Sequence, residues 1–87
     1  MIYSERFMNS ASLIPLTHCR KHGETYRLAR LQGPDNLVER LRELGLHSGI
    51  EVEYAGRAPF SGPQLLRIGP TLIALRTEEA ACVLLSL

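Results

Sequence analysis

The clearest pattern along the chain lies between Leu37 and Tyr54. Leu37, Val38, Leu41 and Leu44 recur at intervals of three and four, with Glu39, Arg40, Arg42 and Glu43 between them. That spacing predicts an amphipathic helix from about Asn36 to Leu44, with one face laid on a core. Asn36 is placed to cap its start, with Glu39 three residues on able to reach back, an approximate capping box. Gly45 stands where a helix C-terminus favours positive φ, and Leu46 just beyond can fold back onto the last turn. After Gly49 the period changes to two: Ile50, Val52 and Tyr54 alternate with Glu51 and Glu53, as in a half-buried strand.

Around this unit the apolar runs are short and strand-like. Tyr26 to Leu31 reads as a strand whose Leu28 and Leu31 lie an odd number apart, which calls either for cover on both faces or for a bulge. Leu65 to Ile68, Leu72 to Leu75 and Cys82 to Leu85 read as three more, and Thr77 to Ala80 as one capped turn. Leu13 to Leu16 is broken by Pro15, which cannot donate to a central ladder, so it is expected at an edge. Met1 to Ser12 shows no period and is expected to be loose, so residues 1–15 form an N-terminal tail or edge segment ahead of one domain over 16–87. Gly33-Pro34, Ala58 to Pro63 and Gly69-Pro70 are loop chemistry. About five short strands with one helix predict a mainly β fold: a small barrel whose closure removes exposed edges, or else an open sheet with one covering helix.

Eighty-seven residues allow one core. Ten basic against nine acidic residues, net +1, give no field to gather phosphates, so nucleic-acid binding is not expected. No apolar run approaches the roughly 20 residues that cross a bilayer, which argues against membrane insertion and for a cytoplasmic protein. The two cysteines, Cys19 and Cys82, are too few for a disulfide-stapled scaffold and read as free thiols.

Taken in order, Leu44-Gly45-Leu46, Gly49, the acidic alternation of the following strand, Arg57-Ala58-Pro59, Gly62-Pro63, and Ala74-Leu75-Arg76 leading into Glu78-Glu79-Ala80 resemble the ferrous iron transport protein A (FeoA) family. The resemblance runs from Leu16 to Leu87. It implies an SH3-like β-barrel with a helix inserted after the first strand and a non-enzymatic accessory role beside the FeoB ferrous-iron transporter. It also implies kinship with the C-terminal SH3-like domain of DtxR-type metal-dependent repressors. No helix-turn-helix pair is present here to bind an operator. The residues before Leu16, and His18, Cys19 and His22, are not features of the family pattern.

No nucleophile elbow, Gly-rich phosphate loop or HExxH helix occurs, so no catalytic residues are assigned. His18, Cys19 and His22 are the candidate metal ligands, since thiolate and imidazole suit borderline divalent ions; they supply only part of a tetrahedral site, and an exposed polar loop without an ion is the preferred reading. Nothing in the chain requires a cofactor; zinc or iron is the ion such a loop could take. His47, Glu51 and Glu53 are weaker candidates on a solvated face. The expected state is a monomer, with metal-induced dimerisation if the loop finds its missing ligands on a second copy. Leu46, Tyr54, Arg57 and Phe60 are the candidates for a partner-binding surface on the cytoplasmic part of a FeoB-type transporter. Of these, Leu46 and Tyr54 read first as core, and Phe60, in a proline-rich loop, is balanced between the two.

Overall fold

The computed structural model describes residues 13–86. The loose tail expected for Met1 to Ser12 lies outside these residues. The described chain runs β1 (Leu13–Pro15), a 3-10 turn (Leu16–His18), β2 (Thr25–Leu31), α1 (Asp35–Glu43), β3 (Glu51–Arg57), β4 (Gln64–Ile68), β5 (Thr71–Leu75), α2 (Thr77–Ala80) and β6 (Val83–Ser86). Six strands form one antiparallel sheet in the order β1-β6-β2-β3-β4-β5. The sixth strand beyond the expected five is β1, an edge strand as Pro15 requires, paired only to β6 among the described residues.

The sheet rolls up. Gln64 opens β4, next to one edge, and Leu16 directly follows β1 at the other edge. Yet the Gln64 side-chain amide donates to the Leu16 carbonyl at 3.1 Å. Only strong curvature brings these positions together, and two bulges supply it. In β2 the register against β6 shifts between Leu28 and Arg30, leaving Ala29 unopposed. This resolves the odd Leu28 to Leu31 spacing: the extra residue returns Leu31 to the inner face, opposite Val83. In β3 the register against β4 shifts between Tyr54 and Gly56, and Gly56 takes a φ of 107°. Inside lie Leu16, Leu28, Leu41, Leu46, Val52, Leu66, Leu75, Val83 and Leu85, all essentially inaccessible. Each buried aliphatic side chain of this kind contributes about 1.5–3 kcal/mol by leaving water.

α1 is inserted between β2 and β3 and packs through Leu41 and, more shallowly, Leu37. Leu44, read as part of that face, is 40% exposed. The start of the helix differs from expectation. Pro34 occupies the N-cap position without a side-chain cap, and its carbonyl accepts from the amides of Leu37 and Val38. Proline's fixed φ sets the entering direction two residues before the expected cap, so Asn36 falls inside the helix and the expected capping box does not form. The other end follows expectation. Gly45 at φ 102° donates to the Arg42 carbonyl at 3.0 Å, and Leu46 donates to the Leu41 carbonyl at 3.1 Å, the paired bonds of a Schellman motif that drops Leu46 onto Leu41.

The reciprocal contact missing at α1 occurs at α2. Glu79 Oε1 accepts the Arg76 backbone N–H at 2.9 Å, and Oε2 pairs with the Arg40 guanidinium of α1 at 3.0 Å. One nearly buried carboxylate thus caps α2 and joins it to α1. Glu79→Ala is expected to lose about 1–2 kcal/mol, mostly the cap, whereas Arg40→Ala should lose no more than about 0.5 kcal/mol because Arg40 is largely exposed. Urea unfolding of the two variants tests this, and equal losses would refute the assignment of the energy to the cap.

Candidate functional site

Two regions bear on function: the leader between the 3-10 turn and β2, and the tip of the β3–β4 hairpin.

In the leader, residues three apart on a 3-10 turn lie on one side, and Leu16 and Cys19 are both buried there. The Cys19 thiol lies beside Tyr26, whose hydroxyl donates to Glu24 Oε1 at 2.7 Å. Burial pushes the Cys19 thiol above its usual range, and the bond to Glu24 pushes Tyr26 well above the usual phenol range. Both protons are therefore held at neutral pH, the opposite of an activated nucleophile or a ready thiolate ligand. Cys82 is also buried and raised by desolvation, with its Sγ 3.4 Å from the Glu78 carbonyl and against the backbone of Gly33.

His18 and His22 are exposed. The His22 ring stands edge-on to Tyr54, with centroids 6.1 Å apart, and lies against Gly56, where any Cβ would come within 2.7 Å of the imidazole. Cys19 is thus turned into the core while the histidines stay outside. Among the described residues no three His, Cys, Asp or Glu side chains converge on one point. His47, Glu51 and Glu53 gather no third ligand either.

Of the four partner-surface candidates, two are withdrawn. Leu46 is sealed beneath the C-terminus of α1, and Tyr54 is buried with its hydroxyl 3.4 Å from Gln64 Nε2, so neither can line a docking surface in this structure. Their positions, just after a helix-ending glycine and on the inward parity of β3, explain why the core takes them. The other two lie at the hairpin tip. Arg57 braces it: Nε donates to the Gly62 carbonyl at 2.9 Å and Nη2 to Thr77 Oγ1 at 3.3 Å, tying the loop to the start of α2. This structural role is not signalled by an arginine at the end of a strand. Phe60 is fully exposed, at 100%. Phe60 and Ser61 have φ of 62° and 57°, and Gly62 N–H donates to the Pro59 carbonyl at 3.2 Å. Two successive positive φ values within such a bond mark a type I′ turn, which favours Asn-Gly, so a Phe-Ser pair there stores roughly 1–3 kcal/mol of strain per residue.

The rolled sheet with its inserted helix has clear relatives. The FeoA domain family matches residues 14–87, nearly all of the described chain. The chain belongs to the FeoA family. Among solved structures it is similar to the Stenotrophomonas maltophilia FeoA complexed with zinc, described as a prokaryotic SH3-domain protein, at 32% identity and a TM-score of 0.70 over 84% of this chain and 89% of that one. It shares the fold of a FeoA-like protein from Clostridium acetobutylicum, at 21% identity and a TM-score of 0.77 over 87% of each chain. It is also similar to ScaR with bound Zn2+, at 25% identity and a TM-score of 0.75; this likeness covers 84% of the present chain and only 36% of ScaR. No curated protein sequence matches the chain. FeoA membership makes this a small SH3-like protein associated with ferrous iron transport, and among the described residues no helix is long and apolar enough to cross a membrane.

Two outcomes follow from the leader. Gly56→Ala should lose about 1–2 kcal/mol through its positive φ and the imidazole against it; in a His22→Ala background the loss should shrink by roughly 0.5 kcal/mol or more. A strictly additive double-mutant cycle would show that the ring does not press on this backbone. The thiols predict an alkaline limit. Their native pKa values are raised, so the unfolded chain releases protons first, and stability is full below about pH 8.5 and falls as pH rises toward the native values. Urea midpoints between pH 7 and 10.5 should show this fall, flattened in Cys19→Ala with Cys82→Ala; an unchanged slope in that variant would assign the loss elsewhere.

Proposed function

We propose that the chain is a non-enzymatic cytoplasmic accessory of ferrous iron uptake that binds the cytoplasmic part of a FeoB-type transporter and modulates it. The match of the FeoA domain across residues 14–87 carries this reading. It is supported by the zinc-complexed relative, for which a role as a ferrous iron transport activating factor has been suggested. The near-neutral charge supports a protein partner over a nucleic acid. The hairpin tip offers the contact, through Phe60 and the braced Arg57, whereas the leader offers structure. The test is capture of a FeoB transporter's soluble cytoplasmic part by the purified protein, without nucleotide and with GDP or GTP. Saturable binding in at least one state is expected, and no binding in any state would sink the reading.

A second reading has one observation in its favour, the zinc in that relative: a metal-binding protein that associates through the ion. Buried Cys19 fits poorly, which leaves His18 and His22 as surface ligands needing further donors from a second copy. On this reading the protein is a monomer in chelator and associates when zinc is added. Sedimentation of the protein and of a His18→Ala, His22→Ala variant decides it: association that persists in the variant clears the leader of the role.

A further inference from the structure

We infer that Phe60 is a preformed anchor, held out by the β3–β4 turn, that inserts into an apolar pocket of the partner protein. The inference rests on the transporter reading above for the partner's identity. Its warrant is a local rule broken twice at one place. The turn needs two positive φ values, which Asn-Gly would supply with little strain and no exposed ring. The chain instead puts a phenylalanine and a serine there, at φ 62° and 57°, and leaves the phenyl ring fully in water. Among the described residues no packing is gained by either choice: the ring is not one of the side chains that pack on the core. A position that opposes both backbone preference and burial is where function is expected to override folding.

The frame around the ring is stiff, as an anchor requires. Ala58 N–H donates to the Pro63 carbonyl at 2.9 Å, and Gly62 N–H reaches the Ala58 and Pro59 carbonyls at 3.2 Å each. A side chain at Gly62 would collide with Ala58 Cβ at 2.9 Å, so the loop closes tightly on itself. Pro59 and Pro63 flank it, and Arg57 ties it to Gly62 and Thr77. The backbone that carries the ring is held in this way and loses little freedom on docking, and an aromatic in a desolvated pocket is the usual centre of an interface. The unused N–H groups of Arg57 stand at the base of the tip for a carbonyl or carboxylate on the pocket rim.

Other occupants fit less well. A membrane surface is held by several apolar side chains with a basic cluster, whereas the loop offers one ring and one arginine already engaged. A second copy would need an apolar socket. Hollows among the described residues are lined by groups such as Glu39, Arg40, Glu43 and Arg76 on one side of α1, or Thr25, Glu51, Glu53 and Arg67 on the sheet, and the one that includes Leu31 and Val38 is rimmed by Asp35, Glu39 and Arg42.

Three variants test the anchor: Phe60→Asn with Ser61→Gly, Phe60→Ala and Phe60→Trp. Each is measured for thermal unfolding, for affinity to the transporter's soluble part, for self-association by sedimentation and for co-sedimentation with mixed neutral and anionic vesicles. The Asn-Gly change is expected to raise Tm by about 4 °C or more while weakening partner binding roughly tenfold or more. Phe60→Ala should weaken binding similarly, and Phe60→Trp should keep it within about threefold. Wild-type binding that the Asn-Gly variant retains overturns the anchor and leaves the transporter reading intact. Absence of wild-type binding removes the transporter reading and the anchor's partner with it. A lower Tm in the Asn-Gly variant refutes the strain on which the inference rests. Vesicle binding or self-association present in the wild type and lost in that variant gives the ring to a lipid surface or a second copy, and overturns it too.

Discussion

The fold depends on one buried amide. Gln64 is the polar side chain most deeply enclosed by the core, and its Nε2 joins the start of β4 to the carbonyl of Leu16 across the roll of the sheet while also approaching the Tyr54 hydroxyl. The Leu16 carbonyl also accepts the Cys19 N–H at 3.0 Å, so the Gln64 amide adds a second, buried bond that ties two elements together, worth about 0.5–1.5 kcal/mol, a sizeable share of the stability of a domain this small. The bond also fixes where the 3-10 turn sits, and therefore the inward aim of Leu16 and Cys19. Gln64 Oε1 has no partner among the described residues, so the amide meets only part of its own demand to satisfy the backbone of another element.

From that constraint the division between core and surface follows. The rolled sheet leaves room inside for one residue in two along each strand, and α1 adds Leu41 and Leu46 through its Schellman end. The leader is drawn inward by the turn, so Cys19 and Tyr26 are buried, while Glu24, which accepts the Tyr26 hydroxyl at 2.7 Å, stays at the surface. The same residue types on an exposed loop would be a plausible half of a metal site. Burial reverses their chemistry, because removing water raises the thiol pKa and keeps the proton that a metal would have to displace.

Much of this was legible in the residues, and the failures have physical causes. The amphipathic spacing of α1 and the Gly45-Leu46 ending are local, three-to-five-residue effects; the helix and its ending appear as read, though of its apolar face Leu41 and Leu37 pack on the core and Leu44 does not. The alternation of Val52 and Tyr54 in β3 also appears as read. Odd spacing in β2 left two explanations, and only pairing with β6 chose the bulge, because register is a property of two strands. Asn36 looked like a cap on side-chain chemistry alone, but the dihedral imposed by Pro34 started the helix before it. Polar flanking residues made Cys19 look exposed. Its burial comes from a turn whose position is set by Gln64, 45 residues away, which no local pattern reveals.

The hairpin tip shows the complementary case. A phenylalanine between two prolines has no period to read, so sequence alone could place it in the core or in water. Its exposure and its backbone carry independent information, since a ring can be exposed without strain and a turn can be strained without exposing a ring. Natural selection for stability alone would favour residues such as Asn and Gly at these two positive-φ positions. The coincidence of exposure and strain at Phe60, on the loop that Arg57 pins to α2, separates this residue from Leu44 and Leu72, the other exposed large apolar side chains, which lie within regular elements or at their ends with ordinary negative φ. Scattered apolar exposure of that second kind is normal on any small protein and has no functional weight. The surface is therefore uneven in what it can tell: the sheet and helix faces are explained by folding, and no contact among the described residues explains the tip.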